Sequence, residues 1–319
     1  MALAWAAWLC ICIVWGTTYL AIRIALETLP PALMGAMRWI AAGAILAAGI
    51  RLRREPWPPV REWPGFALAG LLLIGLGNGG VIFAEQYVPS GLAAVIVATV
   101  PFWMVGVEAA LPSGERITRS TAAGLIAGFA GIVLLVWPEL RRGGGNALMF
   151  AWGIVALQVA CAGWAAGSTY SKRHAVRSGI AAVTALQMLF GGLLMLVVGV
   201  ALGETRDVAF STRSAAALAY LTLAGSVGAF LAYGYALRHL PISTVSLYAY
   251  VNPVIAVVLG ALVLGEPLGG RIVVATALVL SGSAIVRMSA TPGTERRRDT
   301  GATLRGRLAR VWRRELPPS

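Results

Sequence analysis

Charged and chemically reactive residues are scarce in this sequence. Only 12% of its 319 residues are charged, whereas soluble globular domains carry about 25%. The chain has three cysteines and two histidines, and Lys172 is its one lysine. The cysteine count is odd and all three lie in apolar segments, which argues against a disulfide framework or a metal site. We therefore expect no metal and no cofactor.

Long hydrophobic runs are present instead. Apolar residues come in blocks of about 20, the length of helix that crosses the hydrocarbon core of a bilayer. Breaks at proline, glycine and charge clusters predict an all-α integral membrane protein with ten transmembrane helices and only short connections. The first block lacks the basic start of a cleaved signal peptide and is predicted to remain as a helix. The predicted helices are 3–22, 31–50, 65–84, 91–111, 120–137, 147–170, 179–202, 215–237, 243–264 and 270–288.

The net charge of +13 is concentrated in the short loops and in the segment 291–319. If the N-terminus is cytoplasmic, the cytoplasmic loops hold ten basic residues and the opposite loops six, before nine more from Arg287 onward are counted. This bias predicts that both termini are cytoplasmic in a bacterial-type inner membrane. No basic groove or zinc-ligand spacing accompanies the charge, so nucleic-acid binding is not expected.

The basic segment 291–319 is predicted to be a cytoplasmic tail. Within it, 303–316 places Leu304, Leu308 and Trp312 on one helical face, with arginines covering the rest. This pattern is typical of an amphipathic helix that lies on an anionic leaflet, which makes the lipid bilayer a partner. A disordered basic tail is the alternative.

The sequence contains an internal repeat. Pro89 and Pro101 recur 152 positions later as Pro241 and Pro253. Matches displaced by 149 positions are Trp15 with Trp164, Arg23 with Lys172, and Arg38 with Gln187. Each repeat holds five spans, an odd number, so the second must be inverted relative to the first. Inverted repeats are typical of secondary transporters with a substrate site where the halves meet. We assign 1–140 and 141–290 to the two repeats.

Several motifs resemble the EamA family of the drug/metabolite transporter superfamily. They are "WGTTYLAIRIALETLPPALMGAMRW" (15–39), "AEQYVPSGLAAVI" (84–96), Pro101, the "GER" at 114–116, and "NPV" with "LGE" between 252 and 266. The resemblance implies ten helices in two inverted repeats, alternating access, and export of small metabolites or amino acids. The extra residue in "EAALPSGER" (108–116) and the arginine-rich tail depart from the family pattern.

Arg38 is the main candidate for a site. It lies in the second span, roughly 10 Å into the apolar core at 1.5 Å per residue. A charge there costs at least about 2.5 kcal/mol on insertion scales, so contact with lipid is not expected. Arg38 either ties helices together or binds substrate in an aqueous cavity. Its match, Gln187, is predicted to place a second long polar group at the same depth, which favours substrate binding.

Two further sets of residues complete the candidate site. Those expected to line the substrate pocket, with ordinary helix packing as the alternative, are Trp15, Tyr19, Asn78, Trp103, Trp164 and Tyr248. Those expected to act in coupling or gating are Glu85, Glu108, Pro101 and Pro253. Glu85 either partners Arg38 or caps a helix end in water. Glu108 can reach the interface by snorkelling, and each proline is predicted to break the middle of a helix.

These features predict a secondary transporter that exports small organic metabolites or amino acids across the inner membrane. An uncoupled facilitator, a channel or a lipid scramblase is the alternative. A membrane enzyme is not expected, because His174 and His239 both lie in predicted loops and no catalytic group of residues occurs within the spans. The small-residue segment "GLIAGFAG" (124–131) is predicted to pack helices, joining either the repeats or two monomers. The chain is expected to be a monomer or a homodimer.

Overall fold

The computed structural model describes residues 1–111, 118–142, 145–174, 178–240, 245 and 248–289. Over these residues the chain forms ten helices, as the sequence predicts. They are α1 (Ala2–Ala25), α2 (Pro31–Leu52), α3 (Val60–Ala84), α4 (Ser90–Ala110), α5 (Arg119–Arg142), α6 (Gly145–Arg173), α7 (Ile180–Ala201), α8 (Thr212–Tyr220, continued by Leu221–Gly228 and Ala229–His239), α9 (Tyr248–Leu264) and α10 (Gly270–Ser289).

Among the described residues, eight helices are long and apolar enough to cross a membrane. The two shorter apolar helices are α9 and α10. The predicted tail helix, 303–316, and the repeat match Pro241 lie outside the described residues. We call the end of the bundle where α1 ends and α2 begins the Glu85 end. The opposite end, where α2 ends and α3 begins, is the Arg51 end.

Two helices in corresponding positions of the repeats widen into π-helix. The π segments are Leu71–Asn78 in α3 and Leu221–Gly228 in α8, and they begin 150 residues apart. Each contains glycines, which remove side-chain bulk where the widened turn meets neighbouring helices. A π segment leaves the regular hydrogen-bond ladder and is frequent at functional sites.

The two mid-helix prolines behave differently. The fourth helix is interrupted near Pro101, as predicted, because its first segment stops at Val97 and its second begins at Val100. Pro101 therefore lies in the first turn of the second segment, where a missing N–H removes no helix hydrogen bond. Pro253 lies inside α9, as predicted. Its ring excludes the hydrogen bond to the carbonyl of Ala249.

Repeat-related helices pack directly against each other. The most extensive contacts join α2 to its match α7 and α5 to its match α10. Glycines allow the close approach in both pairs. Gly192 of α7 lies against the backbone of Ile40, and Gly282 of α10 lies against Gly124 of α5. The small-residue face of α5 therefore joins the two repeats, which was one of the two predicted roles.

The buried apolar side chains form clusters that cross the repeat boundary. One cluster combines Trp39 of α2 with Met188 of α7 and Leu221 of α8. Another combines Ile96 of α4 with Val279 of α10. The compact units in space are therefore built from helices of both repeats, and a cavity lies between them.

We expect Gly282→Ala to destabilise the α5–α10 pair. A Cβ at residue 282 would meet backbone atoms of Gly124 and Gly128, which cannot rotate away. Overpacking of this kind costs about 1–3 kcal/mol. Gly106→Ala, in a helix with open space around it, is the control and should be neutral or slightly stabilising. Thermal unfolding in detergent measures both variants, and equal melting temperatures would contradict the packing role of Gly282.

Candidate functional site

A cavity of about 210 Å³ lies between helices of both repeats. Its wall is formed by α1, α2, α3 and α4 of the first repeat and by α6, α8 and α9 of the second. Eight of the twelve predicted site residues line it: Trp15, Tyr19, Arg38, Asn78, Pro101, Trp164, Tyr248 and Pro253. Both helix interruptions and one π segment thus border the same space.

Arg38 is held on the wall of this cavity by α2. Only 3% of its surface is exposed. Its Nε donates to Ser226 Oγ at 2.9 Å, and its guanidinium carbon lies 4.3 Å from the centroid of the Trp39 ring. Ser226 belongs to the π segment of α8, so this bond crosses between the repeats. The Nη1 group of Arg38 has no hydrogen-bond acceptor among the described residues.

Trp39, the next residue, also lines the cavity. Its side chain is fully buried, and its indole Nε1 likewise has no acceptor among the described residues. Sequence reasoning missed Trp39 and Ser226. The position of Trp39 beside Arg38 could have identified it from the sequence. Nothing in the sequence indicates Ser226, because only the tertiary structure brings α8 against α2.

Aromatic rings cover much of the cavity wall. Trp15 contacts Phe230 with ring centroids 5.4 Å apart and Tyr248 at 4.9 Å, both edge to face. Phe230 also meets Trp39 at 5.9 Å. The indole N–H of Trp15 donates to the carbonyl of Gly225 at 3.1 Å, which fixes the ring against the π segment of α8. These rigid rings give the cavity an apolar surface of fixed shape.

Small polar groups supplement the aromatic wall. Asn78 Nδ2 donates to the carbonyl of Leu73 at 3.0 Å, inside the π segment of α3. Asn252 and Cys161 line the cavity as well. No group of three or more His, Cys, Asp or Glu side chains in the described ranges is placed to hold a metal ion.

The predicted pairing of Arg38 with Gln187 at one depth is wrong. Gln187 lines a separate cavity at the Arg51 end, with Glu62 and Tyr170. The contacts of Gly43 with Leu189 and of Gly192 with Ile40 give the α2–α7 register. In this register the two side chains are about seven residues apart, roughly 10 Å. Inversion places matched residues at equal distances from opposite faces of the membrane, so they share a depth only at the midplane.

Two other candidates also lie away from the cavity. Trp103 donates from Nε1 to Gln158 Oε1 at 2.9 Å and lines an apolar groove formed by α3, α4 and α6. Glu108 forms an ion pair of 2.9 Å with Arg173, in which both side chains are about one-third exposed. This ion pair links α4 to α6.

Glu85 is fully buried, which overturns the alternative that it caps a helix end in water. Neither carboxylate oxygen has a hydrogen-bond partner among the described residues, and the backbone carbonyl of Glu85 accepts from the Arg23 guanidinium. Burial raises the pKa of this carboxyl well above its ordinary value; Glu266 raises it further, and Arg23 and Arg38 oppose the shift. The hydroxyl of Tyr19 also interacts with it electrostatically. Glu85 is therefore close to the cavity but not on its wall.

Two carboxylates of the second repeat cap helices of the first at the Glu85 end. Glu204 accepts from the backbone N–H groups of Ala32 and Leu33, at 3.3 and 2.8 Å, at the start of α2. Glu266 accepts from the N–H of Ser90 at 2.7 Å and of Gly91 at 3.0 Å, at the start of α4. Each carboxylate satisfies free donors at the positive end of a helix dipole. In the sequence analysis Glu266 appears only as part of the "LGE" motif, and Glu204 was missed.

Comparison with known proteins gives consistent matches along the chain. Residues 2–137 and 151–288 each match the EamA-like transporter family. The "Uncharacterized inner membrane transporter YedA" of Escherichia coli (strain K12) is 38% identical over 278 residues, covering 85% of this chain and 88% of that protein. "Protein PecM" of Dickeya dadantii (strain 3937) is 29% identical over 276 residues, covering 86% and 89%.

A solved crystal structure has a similar fold, with a TM-score of 0.63 at 23% sequence identity. It covers 90% of this chain and 98% of its own. The family match occurs twice, once in each predicted repeat. The two matched ranges together include nearly all residues of the ten helices. The chain therefore belongs to the EamA-like transporter family, whose members are membrane transporters and not enzymes.

Proposed function

We propose that this chain is a secondary transporter that exports small organic metabolites by alternating access. Its membrane is the inner membrane, the location named for the Escherichia coli relative. The observation that carries the proposal is the aromatic-lined cavity between helices of both repeats, with a buried arginine on its wall. A site at the meeting of inverted repeats is the arrangement that such transporters use.

Helix interruptions around the cavity support a mechanism of bending. The π segments of α3 and α8, the break at Ala98–Thr99 and Pro253 in α9 all lie in elements that line it. Such positions absorb backbone rotation with few lost hydrogen bonds. The pairs α2–α7 and α5–α10, which are tightly packed through glycines, are poorly suited to separate. We therefore assign the bending motion of the transport cycle to α3, α4, α8 and α9. The two repeats, 1–140 and 141–290, are assigned as the units related by symmetry.

The links between repeats at the Glu85 end support its role as a gate. Besides the capping by Glu204 and Glu266, Thr28 Oγ1 donates to Ser214 Oγ at 2.6 Å. The ion pair of Glu108 with Arg173, at the Arg51 end, is more exposed. Opening at the Glu85 end by movement of α4 away from α9 would have to release the bonds of Glu266, whereas the bonds of Glu204 lie within the α2–α7 pair, which stays together.

We expect Glu266→Ala to favour opening at the Glu85 end. Loss of a helix cap costs about 0.5–2 kcal/mol, so the open population should rise about two- to thirty-fold. Cys161 on the cavity wall reports opening when Cys10 and Cys12 are replaced by alanine. A membrane-impermeant maleimide should label it faster from the Glu85 face of oriented vesicles. Glu55→Ala, at an exposed residue, is the control, and equal labelling rates in the two variants would contradict the gate.

We assign ion coupling to Glu85, because a buried carboxyl without a hydrogen-bond partner binds a proton readily. An imposed pH gradient should change substrate accumulation in liposomes that contain the wild-type protein. Glu85→Gln should remove this response and keep counterflow. Glu108→Gln is the matched control and should keep the response, because Glu108 is a surface ion-pair residue. An undiminished response in Glu85→Gln would rule out coupling at this residue.

Counterflow tests the transporter proposal as a whole. Liposomes preloaded with an unlabelled substrate should take up the labelled substrate faster than empty liposomes, because a carrier returns loaded faster than it returns empty. Cys161 should react more slowly with a thiol reagent when the substrate fills the cavity. Uptake without acceleration by preloaded substrate would favour a channel or facilitator. Movement of labelled lipid between leaflets would favour a scramblase.

A further inference from the structure

Two residues of the cavity wall carry buried hydrogen-bond donors that nothing in the described chain satisfies. Arg38 Nη1 and Trp39 Nε1 belong to adjacent residues of α2, and both residues line the cavity. Buried donors are normally paired, and a donor of a charged group is the costliest to leave unpaired. Two neighbouring unpaired donors are the arrangement expected for a site whose acceptor arrives with the ligand.

The charge of the wall is also one-sided. Among the described residues, the lining includes Arg38 but no aspartate or glutamate. Glu85 interacts with Arg38 electrostatically, yet its oxygens accept no hydrogen bond from it. The guanidinium therefore retains donor capacity for a ligand. The wall offers an ammonium group only neutral acceptors, such as the carbonyl of Ala249 that Pro253 leaves free.

The remaining wall indicates the body of the ligand. Trp15, Trp164, Phe230 and Tyr248 present rings to the cavity, and rings of this kind bind apolar or aromatic groups. The volume of about 210 Å³ is below the roughly 300–1,000 Å³ that is usual for drug-sized ligands. The cavity thus fits a small molecule with one polar end.

We propose that the cavity binds a small organic monocarboxylate with an apolar or aromatic body, and that Arg38 and Trp39 bind its carboxylate. One carboxylate oxygen accepts from Arg38 Nη1 and the other from Trp39 Nε1. The body of the ligand lies against the aromatic wall. This assignment of substrate class rests on the proposed transport function and names the chemistry of its site.

Four probes of similar shape and different charge test the assignment. They are phenylacetate, its neutral amide phenylacetamide, the cation phenethylamine and the zwitterion phenylalanine. Calorimetric titration of the purified full chain should show that phenylacetate binds at least about tenfold more tightly than each of the others, because a charge-assisted bond is about twice as strong as a neutral one. Equal affinity for phenylacetate and phenylacetamide, preference for either amine, or binding of none of the four would overturn the proposal.

Variants then assign the preference to residues. Arg38→Gln should weaken phenylacetate binding about 10- to 100-fold and remove its advantage over phenylacetamide. Trp39→Phe keeps the ring, removes the donor and should weaken phenylacetate binding several-fold. Arg51→Gln, an exposed arginine on the same helix, is the control and should change nothing. Full preference for phenylacetate in Arg38→Gln would contradict the assignment, and if that variant does not fold, the probe series with wild-type protein decides.

Failure of this inference is distinguishable from failure of the transport proposal. Counterflow of another solute without carboxylate preference would leave the transporter intact and reject the monocarboxylate. Tight binding of phenylacetate without counterflow of phenylacetate or any other solute would support the site and reject carrier transport.

Discussion

Burial of the Arg38 charge is the constraint around which the centre of the protein is arranged. A guanidinium keeps its proton inside a protein, so its charge must be solvated by fixed groups or by a ligand. Ser226 provides one hydrogen bond and the face of Trp39 provides a cation–π contact. The cation–π contact lies within α2, whereas the hydrogen bond requires α8 to meet α2 at the cavity. The packing that solvates the charge therefore also forms the site.

That meeting is in turn fixed by contacts between repeat-related helices. Glycines in α2, α5, α7 and α10 allow matched helices to pack backbone against backbone, which holds the two repeats in one antiparallel register. The π segments and the mid-helix prolines lie in other helices, α3, α4, α8 and α9. Of the glycine-packed helices, only α2 contributes described residues to the cavity wall, whereas α3, α4, α8 and α9 all contribute to it.

Acidic residues at the Glu85 end differ in the groups that surround them. Glu204 and Glu266 occupy the starts of α2 and α4, where backbone N–H groups and the helix dipole stabilise their charge. Glu85 lies in the same region and has no such donors among the described residues. Within the described part of the chain, glutamates at this end of the molecule therefore occupy two different environments, one with backbone donors and one without them. Glu204 and Glu266 serve as helix caps. Glu85 differs from them because its two carboxylate oxygens have no hydrogen-bond partner among the described residues.

The sequence by itself determined the ten helices, their approximate ends, the duplication and the family, because apolar length and a repeated pattern of prolines are properties of the linear chain. It also identified eight residues of the cavity wall, among them Arg38 and Tyr248. It could not place Gln187, Trp103 or Glu108, since the face and depth of a residue depend on the register between helices that are distant in sequence. Only the tertiary structure decided that Arg38 meets Ser226, that Trp39 Nε1 has no partner among the described residues, and that Glu204 and Glu266 cap helices of the other repeat. The contacts among them join residues more than 170 positions apart in the sequence. These contacts, and the surroundings of the Trp39 side chain, depend on how the helices pack.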